Sequence, residues 1–303
     1  MHAFAGLIVA NPLSAILVII GSVLFGLIAP PLTSLIIYIG GGALALYTLS
    51  NGGRDGALVL AGAALALGGL SAMVVGHFLP GLVMLVYWLP VWLAAVILRD
   101  TRSLAWSVMA LTVLATLVVV LMFIAMGDPT AWWTQQLQPL AKMLDENPEL
   151  ARQAQLKIWI EQLPGMMTGL LAAGMIFACL ISLLIGRWWQ SLLVNPGGLR
   201  QEFYEFRLAK SMSLAGVLFF AVASVKMGWV SELFLQLSLV MMMPFLLSGL
   251  AMLHAISAAR KLHRGWLIVL YILMGVFPQV LMLVVVLGAM DPWVDFRSRT
   301  QKI

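Results

Sequence analysis

The chain has 303 residues, 62% of them hydrophobic and 10% charged, with a formal net charge of +5. A soluble globular chain averages roughly 45 to 50% apolar and about 25% charged residues, and its fold cannot hide this much apolar surface from water. Lipid is therefore the solvent expected for much of it. The 17 basic and 12 acidic residues are scattered between apolar runs, a distribution that serves membrane topology rather than nucleic-acid binding. A single cysteine, Cys179, excludes an intrachain disulfide and argues against a cysteine-based metal site.

Runs long enough to cross a hydrocarbon core of about 30 Å at 1.5 Å per residue fall at 13–29, 32–49, 57–76, 80–98, 104–126, 164–186, 212–227, 230–256 and 266–289. They predict an all-α, polytopic transmembrane helical bundle of about nine spans, forming one integral membrane domain over 1–303. The count falls to eight if 212–227, which is short and ends near Lys226, does not cross. No Lys or Arg precedes the first apolar stretch, so no secretory signal is read there and the first span is expected to stay.

Basic residues orient the bundle. With the N-terminus inside, Arg54, Arg99, Arg102, Arg187, Arg200, Arg207, Lys210, Arg260, Lys261 and Arg264 fall on the cytoplasmic side. Lys142, Arg152, Lys157 and Lys226 fall outside. The basic tail after Asp291 counts against an odd number of spans, and its side stays open.

In the third span, small residues four apart, Gly62 with Ala66 and Ala72 with Gly76, would let helix backbones approach closely. One long segment, 127–163, is predicted as an extracytoplasmic insertion of two short amphipathic helices. Leu137, Leu140 and Leu144 share a face of the first. In the second, Asn147 suits the cap and Pro148 the first helical position, with Leu150, Ala154 and Ile158 recurring every four residues. Such helices suit a cap on the membrane surface or a lid.

Chemistry is sparse. The histidines His2, His77, His254 and His263 have no metal-ligand spacing, and nucleophile, nucleotide-binding and zinc-protease motifs are missing from the sequence. No catalytic residue, cofactor or metal site is expected, and the chain is not read as an enzyme. All twelve carboxylates fall in loops or at span ends on this reading, which disfavours proton or sodium coupling.

Three spans carry interior prolines: Pro90, Pro244 and Pro278. Each removes an amide donor and would free the carbonyl four residues back, at Val86, Val240 and Met274. Bent helices with free carbonyls near the midplane build substrate sites in several transporter folds. Beside these kinks stand Tyr87, Trp88 and Trp92 in "LVYWLPVW", Ser248 and Gln279. Aromatic faces with a few amide and hydroxyl groups suit a small, flat, largely uncharged ligand; kinks that only improve packing are the competing reading.

The segments "IAPPLTSLIIYIGGG", "LRQEFYEFRLAK" and "GLAMLHAISAARKLHRGWLIVLYILM" together resemble the YybS-like family of bacterial inner-membrane proteins. That family is distantly similar to the S-components of energy-coupling-factor transporters, which capture a small molecule and rely on separate ATPase subunits. The resemblance implies a helical bundle in the bacterial inner membrane with an outward-facing ligand site. The expected function is binding, or helping to transport, a small apolar or aromatic solute, and the alternative is a non-transporting scaffold or assembly protein. Expected partners are membrane lipids, a small-molecule ligand, and a membrane protein such as an ATPase module, with no nucleic acid.

The charged stretch "GGLRQEFYEFRLAKSM", 197–212, reads differently. Neither Glu202 nor Glu205 has a basic residue four positions on, so no salt-bridged solvent helix is expected. Phe203 and Phe206 share a face with Leu199 and Lys210, while Arg200 and Arg207 would reach lipid phosphates. That pattern predicts a short interfacial helix on the inner leaflet.

Overall fold

The computed structural model describes residues 1–28, 33–146, 158, 160–225, 227–263 and 265–297. Among them are thirteen α-helices and no strand. In chain order these are α1 (His2–Ala10), α2 (Pro12–Ile28), α3 (Thr33–Asn51), α4 (Gly53–Val75), α5 (Leu79–Thr101), α6 (Leu104–Met126) and α7 (Thr130–Glu146). After a 3₁₀ turn at Leu163–Met166 come α8 (Met167–Val194), α9 (Gly198–Glu205), α10 (Lys210–Ala223), α11 (Trp229–Ala259), α12 (Gly265–Val276) and α13 (Pro278–Val294).

Local chemistry explains the breaks. Between α1 and α2, Asn11 is extended and its Oδ1 accepts from the Leu13 amide at 2.9 Å, capping α2 as the chain turns through 117°. Helix α4 ends at Gly76, whose φ of 83° is the left-handed conformation that lets its N–H reach the Ala72 carbonyl. Between α12 and α13, Phe277 is extended (φ −118°, ψ 102°) ahead of Pro278, and the two helices meet at 115°.

The nine-span count is corrected here. Among the described residues, five helices are continuous, long and apolar enough to cross a membrane: Gly53–Val75, Leu79–Thr101, Leu104–Met126, Ile160–Val194 and Trp229–Ala259. Counting each of three helix pairs, α1 with α2, α9 with α10 and α12 with α13, as one broken span raises the number to eight. The apolar part of α3, Leu35–Asn51, is shorter. Of the other predicted spans, 212–227 corresponds to α10, which ends at Ala223 after 14 residues, only about 21 Å. The predicted 266–289 is divided at Phe277 because Pro278 supplies no amide to carry the ladder across.

The chain divides into two compact units. Unit 1 comprises Met1–Leu111, Phe177–Arg207 and Ala251–Lys261, and unit 2 comprises Thr112–Ile176, Leu208–Leu250 and Leu262–Ile303. Within unit 1, α2 packs on α3, α4 packs on α5, and α3 contacts both α4 and α5. Its core buries Ile8, Ile19, Leu44, Leu46, Val59, Trp88, Val91 and Leu183. Of the predicted small pairs of α4, Gly62 is half-buried against Ile16 of α2, but Ala66, Ala72 and Gly76 are exposed, and buried Ala64 and Gly68 meet Gly81 of α5. Small residues ring this helix, so spacing alone could not choose the face.

In unit 2, the Gln236 side chain clamps the start of α8: its Nε2 donates to the Gly165 carbonyl and its Oε1 accepts from the Gly169 amide. Trp133 of α7 donates to Thr168 Oγ1 at 2.8 Å. Helix α7 is the first of the predicted insertion helices, with Leu137 half-buried and Leu140 exposed. The second, around Asn147, Pro148, Leu150 and Ala154, lies outside the described residues. Along α6, Val113, Leu117, Leu121 and Ile124 are exposed on one stripe, the surface an apolar solvent requires.

Candidate functional site

Tyr87, Trp88 and Trp92 belong to unit 1, as does Pro90 inside α5. The Trp88 ring is almost fully buried, at 1% exposure, and lies edge-on to Tyr87 at 6.2 Å. It is seated against the triple glycine of α3. A Cβ on Gly41 would stand 3.0 Å from Trp88 Nε1 and 2.5 Å from the hydroxyl of Ser182 on α8. The three helices meet there with no room to spare, and neither Trp88 Nε1 nor Ser182 Oγ has a hydrogen-bond partner among the described residues. Trp92 serves another neighbour: its Nε1 donates to the Gly53 carbonyl at 2.9 Å, tying α5 to the start of α4.

Pro244, Ser248, Pro278 and Gln279 belong to unit 2. Pro244 lies inside α11, and Ser248, one turn on, is fully buried, its hydroxyl unpartnered among the described residues. Pro278 opens α13 instead of bending a continuous helix, and Gln279 beside it is exposed. Neither unit holds all five predicted ligand residues.

The space in unit 1 lies elsewhere, at the ends of α3, α5 and α8. A cavity of about 440 Å³ opens there, with Leu49, Leu98 and Val194 as its apolar lining. Its polar lining is Arg99 and Arg102 from the last turn of α5, Arg187 and Gln190 from α8, Asn195, and Glu202 from α9. Its volume falls in the ligand-pocket range of roughly 300 to 1,000 Å³.

A run of hydrogen bonds holds this wall. The Arg187 guanidinium forms a two-point pair with the Glu202 carboxylate, Nε to Oε2 at 3.0 Å and Nη2 to Oε1. Its Nη1 donates to Gln190 Oε1 at 2.9 Å, and Gln190 Nε2 donates to the Leu49 carbonyl at 3.1 Å. Arg99 Nη1 reaches the same carbonyl from α5 at 2.6 Å. The Leu49 carbonyl, in the last turn of α3, thus accepts from side chains of two neighbours. Arg99 and Arg102 also oppose the negative end of the α5 dipole.

The charges do not cancel. Three guanidiniums face one carboxylate, and that carboxylate is taken by Arg187. Among the described residues, neither Arg99 nor Arg102 forms an ion pair, and the Arg102 guanidinium makes no hydrogen bond.

Helix α9 is the predicted short helix, but its environment differs from the expectation. Glu202 is paired with Arg187, fifteen positions upstream, a partner that the i+4 rule does not search. The helix stops at Glu205, and Phe206 turns extended and is 3% exposed. Phe203 meets the His254 ring edge-on at 5.5 Å, while Lys210 begins α10. Arg200 donates to the Tyr204 hydroxyl at 2.7 Å. A second, largely apolar groove of about 340 Å³ runs between α8 and α9, past Leu184, Trp188, Leu199 and Phe203.

Sequence reading therefore overlooked Arg99, Arg102, Arg187, Gln190 and Glu202 as a site. Their only signal was basic charge at predicted span ends, which the topology rule absorbed. Among the described residues, no group of three or more His, Cys, Asp or Glu side chains is placed to hold a metal ion. No family model matches the chain, and no curated protein or solved structure matches it.

Proposed function

We propose that this chain is a multi-pass membrane protein that binds a small solute, or helps it move, in the cavity where α3, α5 and α8 end. The observation that carries this reading is the pairing of ligand-sized space with convergent polar groups on rigid helices. Binding without catalysis is the role proposed, because the sequence offers no nucleophile or acid–base motif. A bacterial inner membrane and a cytoplasmic N-terminus belong to the same proposal. They rest on the family resemblance and on the bias of basic residues; the bias turns this cavity toward the cytoplasm, opposite to the outward-facing site that the resemblance implies.

A second reading keeps an apolar or aromatic solute at Tyr87, Trp88 and Trp92. It draws on the unpartnered Trp88 indole N–H and Ser182 hydroxyl, since a buried polar group without a partner costs roughly 1–3 kcal/mol. A ligand acceptor would satisfy both, but only after the tight seam at Gly41 opened. The cavity needs no such movement and is preferred.

Native mass spectrometry of the full chain purified in mild detergent tests the proposal. Retention of a small molecule by the wild type, lost in Val194→Trp, which plugs the cavity from its exposed rim, is the expected result. Retention undiminished in Val194→Trp and lost in Trp88→Ala moves the site to the second reading. A stable protein partner with no small molecule bound replaces both with a scaffold.

A further inference from the structure

The solute-binding reading leaves the chemistry of the ligand open, and the inference that follows rests on that reading. We infer that the cavity takes a phosphate-bearing anion, held chiefly by Arg102 and Arg99.

The argument begins with charge. Arg187 is neutralised by Glu202, so the cavity presents Arg99 and Arg102 as its uncompensated cations. A phosphate monoester carries about −1.5 to −2 at neutral pH and matches two guanidiniums, whereas a single carboxylate leaves one unpaired. Guanidinium forks fit phosphate oxygens with two parallel hydrogen bonds. Arg99 spends Nη1 on the Leu49 carbonyl and so is held in place with its other donors available. Gln190 is fixed in the same way by Leu49 and Arg187.

Backbone geometry gives an independent argument. Arg102 occupies the left-handed C-cap of α5 at φ 52°, ψ 28°, its N–H bonded to the Leu98 carbonyl. Glycine adopts this conformation without the Cβ penalty that arginine bears. The Arg102 side chain makes no hydrogen bond to a described residue that would offset that strain, and a bound anion supplies the missing partner.

Size narrows the ligand further. A cavity of about 440 Å³ is far larger than a bare phosphate ion, so the phosphate is expected to carry an organic group. Two sources carry a phosphate monoester: a free phosphorylated solute and a lipid whose headgroup is a bare phosphate, such as phosphatidic acid.

The test uses the purified full chain, with inorganic phosphate as the soluble probe. The lipid probe is reconstitution into phosphatidylcholine bilayers with and without phosphatidic acid, followed by native mass spectrometry. Two variants are compared with wild type: Arg102→Gly, and Arg260→Gln, a basic residue outside the cavity lining. Phosphate should raise the melting temperature of the wild type and of Arg260→Gln. Arg102→Gly should fold with an equal or higher melting temperature and bind phosphate at least about tenfold more weakly, as loss of a charge-assisted contact implies. Such a result assigns a soluble phosphorylated ligand. Retention of phosphatidic acid by wild type, lost in Arg102→Gly, with no response to free phosphate, assigns the lipid headgroup.

Equal phosphate and lipid binding by wild type and Arg102→Gly overturns the inference. A neutral molecule lost in Val194→Trp but kept in Arg102→Gly overturns the anion class while leaving the solute-binding reading standing. Absence of any retained molecule or phosphate response overturns both.

Discussion

Helices α3, α5 and α8 meet twice, with opposite results. At Gly41 they close on one another so tightly that even a Cβ would collide with Ser182 and Trp88. At Leu49, eight residues and about 12 Å further along α3, the same three helices stand around a cavity of about 440 Å³. The helices are continuous, so the change comes from their side chains. Glycines remove the spacer between backbones where lipid offers no hydrophobic drive for association. Arginine and glutamine are long, and each needs several hydrogen-bond partners, so they hold the helix ends apart around polar space.

The largest expected effects come from filling the closed level. Gly41→Val should destabilise by about 1–3 kcal/mol through overpacking. Gly186→Ala on α8 should do likewise, because its Cβ would stand 2.7 Å from the Gly42 carbonyl and 2.8 Å from the Leu46 amide. On the same helix a Cβ added to Gly174 would meet no other element of the described residues within 4 Å. Gly174→Ala should therefore be neutral or stabilising by up to about 1 kcal/mol. Thermal unfolding in detergent reads all three, and equal losses at Gly174 and Gly186 would break the packing account.

At the open level, Arg187→Met removes both hydrogen bonds from the half-buried Glu202 carboxylate. A loss of about 1.5–3 kcal/mol is expected, and Arg187→Met/Glu202→Leu should lose less than the sum of its single variants. A strictly additive double-mutant cycle would show that the pair does not hold this wall.

Smaller effects sharpen the contrast between the two tryptophans and among the buried serines. Trp92→Phe gives up the bond to Gly53 and should lose about 1 kcal/mol beyond any packing change. Ser107→Ala gives up the 2.9 Å bond to the Ala94 carbonyl, with a similar loss. Ser182→Ala removes a hydroxyl that has no partner, so its stability should be unchanged or slightly raised. A clear loss at Ser182 would reveal a hydrogen bond made in a conformation other than this one.

Composition and apolar run length by themselves determined an all-helical chain suited to lipid, because hydrocarbon admits helices whose backbone groups are satisfied internally. They also located α4, α5, α6 and α11 closely, since their apolar runs are long and their boundaries carry Gly, Pro or charge. The division of the predicted 266–289 span was decided by geometry at Phe277, where one extended residue turns the chain sharply; hydropathy averages across such a residue without seeing it. The site followed the same division. Aromatic residues beside Pro90 look like a pocket in a linear reading, yet Gly41, more than forty residues upstream, lets α3 fill that space. Arg99, Arg102, Arg187 and Glu202 look like topology signals, and only the convergence of three helix ends with α9 makes them the walls of one cavity. Charge pairing between distant residues has no period in the sequence, so tertiary structure alone could bring Arg187 to Glu202 and leave the Arg102 guanidinium without a hydrogen-bond partner among the described residues.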